Sequence, residues 1–123
     1  MDLQIGQMPW RDIAVDDADS LRDFYAAVVG WTWRGESMGD YEDYSMIPPG
    51  GTDPVAGICH RRGPNAQLPA QWLVYIVVED LDASLAEVRR LGGTVLEEPR
   101  TMGSSRFACI QDPAGAVCAL YQP

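Results

Sequence analysis

The chain runs through one sequence of hydrophobic patterns and then runs through it again. In "DIAVDDADSLRDFYAAVVGW" (Asp12 to Trp31) a short β-branched apolar run gives way to acidic residues and then to a helical stretch that stops at Gly30. "YIVVEDLDASLAEVRRLGGTV" (Tyr75 to Val95) repeats that order and stops at Gly92. The opening run of each predicts a strand, and glycine closing the periodic stretch predicts a helix end. In the first helix, Asp17 or Asp19 is the expected N-cap, with Leu21, Phe24, Tyr25 and Val28 as the apolar stripe. In the second, Asp82 or Ser84 is the expected cap, and Leu85, Val88 and Leu91 form the buried face.

The echo continues past the helices. "YSMI" (Tyr44 to Ile47) aligns with "FACI" (Phe107 to Ile110). After a turn rich in Pro and Gly, "VAGI" (Val55 to Ile58) aligns with "VCAL" (Val117 to Leu120). Each half therefore reads as strand, helix and three further strands. Module one covers about 9–60 and module two about 70–122, joined by the polar linker "RRGPNAQLPA" (Arg61 to Ala70). Half a chain of this size leaves one sheet face uncovered, so the two modules are expected to close on each other as one domain. The class is α+β, with helices on one side and a curved sheet on the other.

Composition then removes whole classes of function. The net charge of −9 argues against nucleic acid, which rewards clustered Lys and Arg. It favours solubility and, at long range, a cationic ligand. The chain has no lysine, which excludes Schiff-base chemistry. With His60 as the only histidine, no site needing two imidazoles forms within one chain. No run is long enough to span a membrane, and "MDLQIGQMPW" has neither the basic nor the apolar region of a secretory signal. Three cysteines without CxxC spacing fit reduced thiols, so a cytoplasmic location is expected.

"DIAVDDADSLRDFYAAVVGW", "VEDLDASLAEVRRLGGTV" and "DPAGAVCAL" together resemble the vicinal-oxygen-chelate superfamily of glyoxalase I, extradiol dioxygenases and bleomycin-resistance proteins. The resemblance covers about Pro9 to Tyr121. "PWRDIAVDD", "FYAAVVGW" and "VAGI" most resemble glyoxalase-like proteins of the actinobacterial secreted-antigen type. The resemblance implies two βαβββ modules forming a curved mixed sheet around a cleft, and a homodimer. In the family's metal enzymes the ligands are His, Glu or Gln on the first and last strands of the modules. Carried over one by one, those positions fall on Trp10, Leu73 (Trp72 if a bulge shifts the register), Gly57 and Ala119. None offers a side-chain ligand for a divalent ion, so no metal and no other cofactor is expected.

Strand alternation then nominates the cleft. Trp10 and Asp12 share one face of the first strand, and Tyr75 lies on the matching face of its counterpart. Gly57, Ala119 and Tyr121 line the last strands, and Tyr44 with Met46 is expected to join them. Aromatic walls around small residues, with one acid, describe a small-molecule site for a flat or cationic ligand. The expected function is a metal-free binder, in the manner of bleomycin-resistance proteins, that sequesters such a compound. Two alternatives stay open: an enzyme, either a divergent glyoxalase-type lyase or isomerase or dioxygenase-like enzyme, or a cofactor-independent catalyst with Asp12 or His60 as base; and an interaction module whose cleft is filled. His60 reads as a turn residue, and "TMGSSRF" (Thr101 to Phe107) as a loop that could offer Ser104, Ser105 or Arg106 to an anionic group.

Overall fold

The computed structural model describes residues 3–123, and among them two compact units are distinguished, 11–72 and 3–10 with 73–123. Each is α+β, a mixed sheet with one helix on one face.

The first module, which apart from Trp10 makes up unit 11–72, consists of β1 (Trp10–Val15), α1 (Ala18–Val29), β2 (Thr32–Ser37), β3 (Glu42–Ile47) and β4 (Ala56–His60). β1 pairs parallel with β4, and β4, β3 and β2 run antiparallel in turn. Helix α1 begins where Asp17 accepts the Ser20 N–H, and it ends at Gly30 with φ of 80°. Its inward stripe is narrower than expected. Ala18, Leu21 and Tyr25 pack on Ile13, Tyr44, Met46 and Ile58, whereas Phe24 and Val28 are exposed. Tyr25 also accepts a hydrogen bond from the Trp72 indole at 3.1 Å, within a group of rings that includes Trp31.

The other unit carries β5 (Leu73–Val77), α2 (Leu81–Arg90), β6 (Thr94–Val95), β7 (Arg100–Met102), β8 (Ser105–Gln111) and β9 (Val117–Gln122). β5 pairs parallel with β9, β9 antiparallel with β8, and β8 antiparallel with both β6 and β7. The segment before β1 belongs here, since Gly6 donates to the Val77 carbonyl and Val77 donates to that of Gln7. The cap of α2 is Asp80, not Asp82 or Ser84: its carboxylate accepts the Ala83 N–H three residues on, the reach a cap requires. Leu81 and Leu85 are buried against Ala108, Ile110 and Leu120, and Leu91 is exposed. The stretch expected as a loop after Thr101 is a β7–β8 hairpin.

Candidate functional site

Register decides which side chains share a sheet face, and it divides the nominated residues. In the first module, Asp12 lies beside Gly57 and Ala14 beside Cys59, while Ser45 opposes Gly57. These side chains occupy the face turned away from α1. Ile13 and Ile58 lie on the other face, and Tyr44 is the cross-strand partner of Ile58. Tyr44 and Met46 therefore point to the helix, contrary to expectation. Met46 is fully buried, and Tyr44 donates its hydroxyl to Asp19 of α1 beneath the Arg22 guanidinium. That bond, with burial added, raises the Tyr44 pKa.

The cause is a slip of one residue in the apparent repeat. Ala108 opposes Leu120 as Tyr44 opposes Ile58, so Tyr44 matches Ala108 and Asp43 matches Phe107. In module two the face away from α2 carries Tyr75, Ala119, Tyr121, Cys109 and Phe107. The matching positions of module one are Asp12, Gly57, Cys59, Ser45 and Asp43. One module thus presents rings around a small-residue floor, and the other presents small and acidic groups. Burial and the nearby Asp12 and Asp43 carboxylates push the Cys59 thiol up, away from thiolate chemistry.

The aromatic face is the more developed of the two. Tyr75 and Phe107 stand 6.1 Å apart, Tyr75 is the direct neighbour of Ala119, and Tyr121 opposes Phe107. Ala119 is fully buried and Phe107 nearly so, whereas Tyr75 and Tyr121 are half-buried. The Tyr121 and Ser105 hydroxyls are 2.8 Å apart. Arg100 of β7 lays its guanidinium over the Phe107 ring at 4.7 Å and pairs with Glu97 at 3.2 Å. Sequence reasoning did not nominate Phe107 or Arg100, although the alignment of Phe107 with Tyr44, itself expected in the cleft, was a signal for Phe107. Ser105 reaches this group, as the hairpin sequence allowed. Arg106 turns to the other side and binds Asp82 through both terminal nitrogens, at 3.0 and 3.2 Å. Trp10, half-buried, opens β1 on the same face of that strand as Asp12.

Two hollows lie away from these faces. An apolar groove of about 520 Å³ runs along α2, lined by Val78, Ala83, Val88, Leu91, Ile110 and Leu120. A polar pocket of about 460 Å³ in unit 11–72 is bordered by Asp19, Ser37, Asp40, Tyr41, Tyr44 and His60. His60 is no loose turn residue. Its Nδ1 donates to the Glu42 carbonyl at 2.8 Å, which leaves Nε2 as the lone-pair nitrogen of the neutral ring, 3.7 Å from Asp19.

A family model described as the Glyoxalase/Bleomycin resistance protein/Dioxygenase superfamily matches residues 7–120. The chain belongs to that superfamily. A provisionally named glyoxylase, CFP32 of Mycobacterium tuberculosis, is 33% identical over 98% of this chain and 45% of its own. DnrV of Streptomyces peucetius, an anthracycline biosynthesis protein, is 33% identical over 95% of this chain and 47% of its own. The chain thus spans about half the length of these curated relatives. Among solved structures, a methylmalonyl-CoA epimerase from Mycobacterium tuberculosis superposes with a TM-score of 0.57 at 22% identity, over 100% of this chain and 93% of that one. A superfamily member from Vibrio splendidus 12B01 gives 0.61 at 15% identity, over 93% and 97%. At those identities the likeness is one of fold.

The residues at the positions that the resemblance implies for a metal do not fit one. Trp10, Leu73, Gly57 and Ala119 supply no donor, and no group of three His, Cys, Asp or Glu able to hold an ion occurs among the described residues. No described helix is long and apolar enough to cross a membrane.

Proposed function

We propose that this superfamily member binds a flat aromatic small molecule, without a metal, on the face of β5, β9 and β8 turned away from α2. The observation that carries the reading is the set of rings Tyr75, Phe107 and Tyr121 beside the small residues Ala119 and Cys109. Rings offset over a flat guest add stacking energy to the burial of its surface. The likeness to DnrV supports the aromatic class, since anthracyclines are fused aromatic ring systems. Trp10, Asp12 and Gly57 stay proposed ligand-binding residues on the faces of their own strands, whereas Tyr44 and Met46 leave the set. A homodimer, which the family resemblance implies, remains the proposed assembly. The three free cysteines fit a reducing compartment such as the cytoplasm.

The test is titration with naphthalene-sized probes, followed by intrinsic fluorescence. Binding is expected to weaken by about tenfold or more in Tyr121→Ala, the loss of roughly one stacked ring. Unchanged affinity would remove this face from consideration. A catalytic reading, as a divergent lyase, isomerase or dioxygenase-like enzyme, draws on the held imidazole of His60 in its polar pocket. His60→Gln separates the two, since it leaves probe binding unchanged if the aromatic face is the site.

A further inference from the structure

The aromatic face already holds a cation of its own. Arg100 stacks over Phe107, and it does so at one end of the face, where β7, β8 and β9 lie side by side. The same habit recurs in the other module, where Arg22 covers Trp33 and Tyr44 and Arg62 covers Tyr41. From these contacts we infer that the guest is an aromatic carrying an oxyanion or acceptor oxygen on its edge, such as an aryl carboxylate or phenolate, and not a cation. This rests on the reading that the face binds an aromatic at all.

Three features converge on that chemistry. First, a cationic guest seated on Tyr75 and Tyr121 would meet Arg100 as a like charge, with the Phe107 ring already in use. Second, the guanidinium is held in place. Glu97 engages it at Nη2, and both side chains are largely buried, 16% and 28% exposed. A guanidinium presents five N–H groups in a planar fork, and one carboxylate contact at Nη2 does not consume them. Third, Ser105 and Tyr121 share one hydrogen between their hydroxyl oxygens, so the second hydroxyl hydrogen of the pair points elsewhere. Arg100 opposes Phe107, Phe107 opposes Tyr121, and Ser105 lies two residues along β8 from Phe107. The end of the face therefore has more donor hydrogens than the Glu97 carboxylate and the Ser105–Tyr121 bond engage, and an edge oxygen on a flat guest supplies a further acceptor. The overall charge of −9 does not outweigh this, because salt screens distant charges over about 8 Å whereas Arg100 is in contact.

The experiment compares three probes of one shape by calorimetry or fluorescence: 2-naphthoate, neutral 2-methoxynaphthalene and naphthalen-2-ylmethylammonium. Wild type is expected to hold 2-naphthoate at least about tenfold tighter than the ammonium, the scale of one charge-assisted hydrogen bond. Replacing Arg100→Met together with Glu97→Gln, so that no carboxylate is left without its partner, should erase that ratio while 2-methoxynaphthalene still binds. A thermal melt of the double variant confirms that it folds. Equal or tighter binding of the ammonium overturns the inference, as does a carboxylate preference that survives the double substitution. If neutral and charged probes bind alike, the inference falls and the aromatic-binding reading stands. If none of the three binds, that reading falls and takes the inference with it.

Discussion

At the scale of single residues, Met46 carries the sharpest correction. Read as a strand residue beside Tyr44, it was expected to line a ligand site; in the structure it has no exposed surface and packs with Ile13, Ala18 and Ile58. Removing its thioether should therefore cost stability and not affinity. Met46→Ala is expected to lower the unfolding free energy by about 2–5 kcal/mol in urea melts, the range for emptying a buried site. A loss under about 1 kcal/mol would return Met46 to a surface role. Asp12 and Gly57, by contrast, are register neighbours on the face away from α1, since Ile13 and Ile58 take the helix side.

At the scale of elements, an exposed ion pair between β8 and the start of α2 adds to the packing of Leu81 and Leu85 on Ala108 and Ile110. Arg106 grips Asp82 with both terminal nitrogens, and this hydrogen-bonded pairing lowers the Asp82 pKa below its ordinary value of 3.8. A carboxyl whose pKa is depressed by folding stabilises the fold above its unfolded value, and that contribution is lost as pH falls through the folded value. Asp82→Asn should therefore destabilise the protein at neutral pH and shrink the gap to wild type in acid, read from melts at pH 7 and below pH 3.5. A gap that stays constant with pH would show that the ion pair does not persist in solution. The helices themselves were legible from acidic starts and glycine ends. Their caps and stripes were not fully so, since Asp80, Asp82 and Ser84 are all chemically able to cap and only the path of the chain into α2 selects Asp80.

For the molecule as a whole, the positions that the resemblance implies for metal ligands, Trp10, Leu73, Gly57 and Ala119, carry no donor side chain. The melting temperature is expected to stay the same with EDTA and with added Zn²⁺, Ni²⁺, Mn²⁺ or Fe²⁺, because an ion that bound the folded state would raise it by mass action. A rise with one ion would reveal a donor set outside those four positions. The sequence by itself determined the α+β class, the doubling into two modules and the strand–helix–strands order of each, but not the additional strand β7 of the second. What it determined follows from periodicity or glycine placement, both of which are local. Which rings share a face was decided only by tertiary structure. A side chain's direction along a strand alternates with period two, so one residue of slip in pairing exchanges the faces. The pairings of β3 with β4 and β8 with β9 turned Tyr44 inward to α1 and put Phe107, with Arg100 over it, on the face of Tyr75 and Tyr121.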